Sequence, residues 1–106
     1  MIVTHLNSGR KAEFTVDGTV LTIGSLSIDL AERQTDVQRI IDVCLDNGYT
    51  TVQEGVGAWY VATVIVPPQE YQLAENENGE TSVVPMPLDI GKVEIRLWAL
   101  PEGVEL

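Results

Sequence analysis

Lysine and arginine are absent from residues 40–91 of this chain, although the same segment holds eight carboxylates. The carboxylates are Asp42, Asp46, Glu54, Glu70, Glu75, Glu77, Glu80 and Asp89. The segment contributes −8 of the formal net charge of −10. Such a concentrated negative field repels nucleic acid and anionic membranes over ~10 Å at moderate salt, and it attracts basic proteins. We therefore expect no direct binding to nucleic acid or membrane, and a protein partner, with a basic one favoured by the charge.

Cysteine and histidine each occur only once. Cys44 cannot form an intrachain disulfide, which fits a reducing compartment. His5 has no second histidine or cysteine at ligand spacing and no identifiable nucleophile beside it. The glycines of 55–57 lack the lysine and the following helix of a phosphate-binding loop. We therefore expect no catalytic, cofactor-binding or metal-binding residue, and a protein that is not an enzyme.

Long apolar runs are also missing. The longest run, near Val61–Val66, is interrupted by Thr63 and stopped by Pro67-Pro68, far short of the ~20 residues of a membrane-spanning helix. The first residues have neither the basic start nor the apolar run of a signal peptide, so a cytoplasmic location is expected. A chain of 106 residues with 44% apolar content predicts one domain, residues 1–106, that folds without a metal or disulfide.

The first thirty residues read as β-structure. Ranges 12–16, 19–23 and 26–30 each alternate apolar and polar side chains, which predicts three strands with one buried face. Asp17-Gly18, between the first two ranges, supplies the turn of a hairpin.

One amphipathic helix is predicted at about 36–47. Thr35 and Gln38 have the spacing of a capping box, and Asn47-Gly48 is a typical helix end. The apolar residues between them follow the spacing of a single helical stripe, and they are Val37, Ile40, Ile41, Cys44 and Leu45. We expect this stripe, with Cys44 buried in it as a small hydrophobic residue, to pack on one face of a sheet.

Further strands are predicted at Thr50–Val56, Ala58–Val66 and Val93–Leu100. Ala58–Val66 is apolar on both faces, which is typical of a central strand with cover on both sides. The helix would supply one cover, and the chain's own hairpin or a second subunit the other. The predicted class is α+β, with a mainly antiparallel sheet of five to seven strands and the helix on one face.

The sequence of residues 69–84 predicts a β-hairpin arm that projects from this body. Asn78-Gly79 is a strong signal for a two-residue hairpin turn, and the flanking residues contain few apolar side chains. The arm would carry Glu70 near its base and Glu75, Glu77 and Glu80 towards its tip. Residues 101–106 are expected to form a loose tail.

The candidate partner-contact residues form three groups. The first is the set of four arm carboxylates. The second is Asp42 and Asp46, one turn apart near the C-terminal end of the predicted helix, where like charge and the macrodipole disfavour both. They predict either an acidic contact face continuous with the arm or a chance arrangement. The third is Trp98 and Tyr60, which are either interface anchors on a less covered sheet face or residues of a second core.

The functional expectation is a small acidic, non-enzymatic interaction or assembly protein that binds another protein or itself. The alternative is a nucleic-acid mimic that occupies the basic groove of a nucleic-acid-binding protein. A mimic needs carboxylates spaced like phosphates, and its binding would depend steeply on salt. An enzyme that uses paired carboxylates is a third alternative, for which the sequence offers no nucleophile. A homo-oligomer formed through the face of Trp98 or Tyr60 also stays open.

Overall fold

The computed structural model describes residues 1–106 and consists mainly of β-sheet. The ten strands run, in chain order, over Ile2–His5 (β1), Phe14–Asp17 (β2), Val20–Ile23 (β3), Leu26–Asp29 (β4), Arg39–Leu45 (β5), Val52–Glu54 (β6), Trp59–Val66 (β7), Tyr71–Glu75 (β8), Thr81–Pro85 (β9) and Glu94–Leu97 (β10). Helix is limited to one α-helical turn, Leu30–Arg33 (α1), and one 3₁₀ turn, Ile90–Lys92. Neither turn has the length and apolar character needed to cross a membrane.

The strands form three sheets. A five-stranded sheet has the order β1-β10-β7-β5-β6, in which only β1 and β10 are parallel. A three-stranded antiparallel sheet has the order β2-β3-β4, and β8 pairs only with β9. The central position predicted for the strand at 58–66 is confirmed, because β7 lies in the middle of the five-stranded sheet. The first hairpin and the strand after it are confirmed as β2, β3 and β4.

The core lies between the two larger sheets. Residues side by side on adjacent strands share a face, so Ile41, Val64 and Ile95 form one row of the inner face of the five-stranded sheet. Leu21 and Ile28 of the three-stranded sheet belong to the same cluster of 16 buried residues. Burial of apolar side chains between two sheets stabilises this arrangement at about 25 cal/mol per Å² removed from water.

The predicted helix at 36–47 is wrong, because most of that segment is strand β5. Ile41, Val43 and Leu45 are buried on the inner face, whereas Ile40 between them is 60% exposed. Spacings of three and four residues in the apolar pattern suggested a helix, but the same segment also fits the two-residue period of a strand. Its β-branched side chains favour the strand, and pairing with both β6 and β7 satisfies its backbone. The inner face is therefore covered by the chain's own three-stranded sheet and not by a helix.

The Asn47-Gly48 pair belongs to a turn between β5 and β6. Asp46 organises this turn, since its carboxylate accepts hydrogen bonds from the backbone N–H of Thr50 at 2.9 Å and of Thr51 at 3.4 Å. The Thr50 bond lowers the pKa of Asp46. Tyr49 has a φ of 57° in the same turn. The charge conflict expected at a helix C-terminus therefore does not arise, because Asp46 stabilises a turn.

A β-bulge in β7 decides which way its aromatic residues face. Val43 pairs with Ala62 and Cys44 pairs with Tyr60, so Val61 is the extra residue. Val61 and Ala62 are both fully buried in the core cluster. Simple alternation would have turned Tyr60 towards the core. The bulge instead brings it to the outer face of the sheet.

The last six residues run back along the N-terminal half of the chain. Leu100 N–H donates to Arg10 O at 2.7 Å, and the Arg10 guanidinium donates to Val104 O. Val104 packs against the core cluster, and its N–H donates to Pro101 O at 3.2 Å. The segment expected to be a loose tail thus contacts the body through a turn.

Candidate interaction surfaces

The first surface is the arm, defined here as β8, β9 and the loop between them, residues 71–85. The molecule measures 63 × 22 × 22 Å with a radius of gyration of 17.0 Å, against ~13 Å for a compact chain of about this length. The elongation reflects the arm, because β8 and β9 pair with no other strand. A two-stranded hairpin by itself is only marginally stable in water, so the arm needs anchors or a partner.

One face of the arm carries an exposed apolar strip. Leu73 pairs directly with Val83, and Tyr71 pairs with Pro85 on the same face. Tyr71, Leu73 and Val83 are 50%, 73% and 64% exposed. A strand pair that covered a core would bury this face. The strip, defined as Tyr71, Leu73 and Val83, is therefore free to contact another molecule.

The arm's loop differs from the predicted two-residue turn. Asn76 N–H donates to Glu80 O at 2.9 Å, and Gly79 N–H donates to Asn76 O at 3.1 Å. The Asn76 side chain also accepts bonds from the N–H groups of Asn78 and Glu80, each at 2.9 Å. With Gly79 at a φ of 76°, this is a three-residue loop closed by a bulge. It presents Glu77 at the very tip.

The base of the arm is tied to the body by polar contacts. Lys92 Nζ lies 2.9 Å from Glu70 Oε1, and this hydrogen bond raises the pKa of Lys92. Tyr71 OH donates to Asp36, which raises the pKa of Tyr71. Gln69 N–H donates to the backbone of the segment before β5. Glu70 is thus paired with a cation of its own chain and differs in this respect from the carboxylates at the tip.

The second surface is the open face, the outer side of the five-stranded sheet. Cross-strand register sets its first row, which is Ile2, Glu94, Ile65 and Ile40, and its second row, which is Thr4, Arg96, Thr63 and Asp42. The polar members bond to one another. Thr4 Oγ1 donates to Glu94 at 2.8 Å, Arg96 Nε donates to the same carboxylate at 3.0 Å, and Thr63 Oγ1 donates to Asp42 at 3.1 Å. Ile2 and Ile40 of the first row are 52% and 60% exposed, so this part of the face is open to solvent.

Trp98 and Tyr60 form the aromatic end of the open face. Their ring centroids are 5.9 Å apart with an interplanar angle of 36°, a geometry typical of favourable aromatic pairs. Tyr60 is 45% exposed, whereas Trp98 is partly buried and its indole N–H is buried without a hydrogen-bond partner. Trp59 differs, because its indole N–H donates to Ala99 O at 2.8 Å.

Cys44 is fully buried, as predicted, but on a strand. It points to the same side as Tyr60, beneath the segment that contains Gly57. A Cβ built on Gly57 would lie 2.9 Å from the Cys44 Cβ. Burial raises the pKa of the Cys44 thiol, which disfavours the reactive thiolate.

Replacing Cys44 by serine should lower the free energy of unfolding by about 1–3 kcal/mol, because it buries a hydroxyl without an assured partner. Denaturant unfolding measures this, with Cys44→Ala as the control for lost volume. The parent thiol should react slowly with a bulky reagent under native conditions. Rapid reaction would contradict the buried position.

The structure contains no group of three or more His, Cys, Asp or Glu side chains that could hold a metal ion. His5 lies at the exposed edge of the five-stranded sheet on β1. The depression of largest volume, ≈ 440 Å³, is open and lined mainly by small and hydroxyl residues around Ser25 and Thr51. A smaller one of ≈ 230 Å³ lies beside Trp98 and Tyr60. Neither depression gathers groups that could act together as acid, base and nucleophile.

The predicted contact residues occupy separate places. Glu75, Glu77 and Glu80 lie on the arm, and Asp42 lies on the open face with Tyr60 and Trp98. Asp46 lies at the end of β5 that is remote from the arm, because Arg39 at the other end pairs with Val66, just before the arm begins. The sequence predicted an arm with few apolar side chains, whereas the structure aligns Tyr71, Leu73 and Val83 in one exposed strip, which was not predicted. The alternation of Tyr71 and Leu73, matched across the turn by Val83, was the signal for it.

Comparison of the chain with protein-family models, with curated proteins and with solved structures found no match.

Proposed function

We propose that this chain is a non-enzymatic interaction protein that docks on a basic protein surface through its arm. The observation that carries the proposal is the composition of the arm, an exposed apolar strip that leads to an acidic tip. None of the chain's four ion pairs involves Glu75, Glu77 or Glu80. A partner with cations beside an apolar groove would satisfy both features.

The two parts of the arm would contribute differently to binding. The tip carboxylates lie furthest from the body, so they accelerate encounter with a basic partner and make the association rate depend on salt. The strip supplies apolar area. The free energy gained by burying this area depends little on salt, and it slows dissociation of the complex. Docking would also stabilise a hairpin that is marginal by itself.

Replacing Glu75, Glu77 and Glu80 together by glutamine should weaken binding to the partner, mainly through the association rate and mainly at low salt. The thermal unfolding midpoint should hardly change, since these side chains are exposed and form no ion pair, and the one hydrogen bond among them, from the Asn76 side chain to Glu80 at 3.2 Å, is also exposed. The experiment is affinity capture from the source cell on C-terminally tagged protein, elution with a salt gradient, and kinetics with the captured partner.

The control variant replaces Glu13, Glu32 and Glu102 by glutamine, which removes the same charge from exposed positions outside the arm. It should retain most of the binding at each salt concentration. If both variants weaken binding equally, total charge and not the arm governs recognition. If the arm variant binds as the parent does, or loses its fold, the proposal fails.

The nucleic-acid mimic remains the alternative, and the same assay distinguishes it. A mimic needs an extended array of free carboxylates, yet six of the eight in the lysine-free segment have partners within the fold. These are Asp42 with Thr63, Asp46 in its turn, Glu54 with Arg33, Glu70 with Lys92, Glu80 with Asn76, and Asp89, which accepts from Gly91 N–H. This distribution favours docking by the arm. Displacement of the captured partner by duplex DNA would support the mimic instead.

A further inference from the structure

We propose that β1 is a self-pairing edge, through which two copies of this chain join their five-stranded sheets into one continuous sheet. This interface is distinct from the arm and does not depend on it. An edge strand presents unpaired backbone groups that can template another strand, and proteins commonly protect such edges with charge, proline or cover.

The backbone of β1 identifies the groups that are free. Ile2 N–H donates to Val93 O at 2.8 Å, and Leu6 N–H donates to Leu97 O at 2.9 Å. Backbone groups alternate in direction along a strand, so residues 2, 4 and 6 bond to β10, and Val3 and His5 direct their N–H and C=O groups away from the sheet. Those four groups are the open edge.

The edge is complementary to itself when two copies run antiparallel about Thr4. Val3 then faces His5 of the second copy and exchanges two hydrogen bonds with it. By symmetry, His5 exchanges two more with Val3 of the second copy. On the open face Ile2 faces Leu6 of the second copy, and Thr4 faces its own counterpart. Ile2 and Leu6 are 52% and 40% exposed in the single chain, so the pairing brings two exposed apolar residues together.

The distribution of charge on this chain favours a second copy of the chain as the partner at this edge. Two molecules that each carry −10 repel over most of their surfaces, but residues 1–12 contain no carboxylate. Of the two bases in this segment, Arg10 lies 3.9 Å from Glu105, and Lys11 forms no ion pair. The nearest carboxylate on the neighbouring strand, Glu94, is paired with Arg96 at 3.0 Å.

The other free edges are less suitable for self-pairing. Strands β2, β4, β6 and β8 each carry a carboxylate, and β9 ends in Pro85. A four-residue strand offers only four intermolecular hydrogen bonds and less area than a standard interface. We therefore expect a weak dimer, whose fraction rises as the protein concentration increases through the micromolar range.

Disulfide trapping tests the predicted register. In the proposed pairing the two Thr4 residues form a non-hydrogen-bonded pair with Cα atoms ~4.5 Å apart, within the ~4.4–6.8 Å range that a disulfide spans. Thr4→Cys should therefore oxidise to a covalent dimer at high yield, while the buried Cys44 gives little background. Thr15→Cys, on the exposed strand β2, is the matched control and should stay monomeric.

Sedimentation of the C-terminally tagged protein over a concentration series supplies the second readout. Val3→Pro removes only an outward N–H, so β1 can still pair with β10, and dimer formation should be lost. Val3→Ala keeps that N–H and should retain the dimer, while circular dichroism reports folding of both. A parent that stays monomeric at every concentration overturns the proposal, as does a Thr4→Cys variant that is trapped no faster than Thr15→Cys.

Discussion

Replacing Ile41 by alanine should lower the free energy of unfolding by about 2–5 kcal/mol, whereas the same change at Ile40 should cost less than ~1 kcal/mol. Ile41 is 4% exposed in the core between the two sheets, and its neighbour Ile40 is 60% exposed on the open face. The truncation therefore leaves a cavity at one position and removes a surface contact at the other. Denaturant unfolding of the two variants measures the difference.

The pair is a direct test of strand against helix. On a helix, Ile40 and Ile41 would both belong to the apolar stripe, and both truncations would be costly. On a strand, successive side chains point to opposite faces, so only the truncation of the buried side chain, Ile41, would be costly. Equal losses of stability at the two positions would contradict strand β5.

Replacing Gly57 by alanine should destabilise the fold by about 3 kcal/mol or more, because there is no room for a methyl group. The new Cβ would lie 2.2 Å from the carbonyl oxygen of Leu45 and 2.9 Å from the Cys44 Cβ. That carbonyl accepts a hydrogen bond from Ala58 N–H at 2.9 Å, so it cannot move away without loss of the bond. Thermal and denaturant unfolding measure the effect.

Gly48→Ala is the matched control for this close approach. A Cβ on Gly48 would meet nothing nearer than Thr50 Oγ1 at 3.7 Å, and its φ is not positive. This variant should stay within ~0.5 kcal/mol of the parent. The Gly57 variant should in addition expose Cys44 to thiol reagents, since the segment above it must shift. A Gly57→Ala protein as stable as the Gly48→Ala protein would show that the approach is not as close as the structure has it.

The elements that the sequence predicted well depend on local signals. Asp17-Gly18 between alternating segments specified the first hairpin, and Asn78-Gly79 located the second, although the loop is longer than a two-residue turn. The apolar content of the strand at 58–66 identified it as central. Each signal is a property of neighbouring residues, so it can be read before the tertiary fold is known.

The elements that the sequence predicted wrongly depend on contacts between distant residues. Val37, Ile40, Ile41, Cys44 and Leu45 satisfy a helical period, but pairing with β6 and β7 imposes the two-residue period of a strand. Asp46 looked unfavourable at a helix end and instead caps a turn. Tyr60 reaches the open face only because a bulge at Val61 reverses the alternation. None of these outcomes follows from the local pattern alone.

The sequence by itself determined the charge of this protein, the β-structure of its first thirty residues and the presence of an acidic hairpin, because these follow from composition and short-range turn chemistry. Only the tertiary structure decided which residues share a surface. Cross-strand register joined Tyr71, Leu73 and Val83 into one strip and left the groups of Val3 and His5 free at the edge of a sheet. Register fixes such neighbours through hydrogen bonds between segments far apart in the chain, which no local pattern specifies.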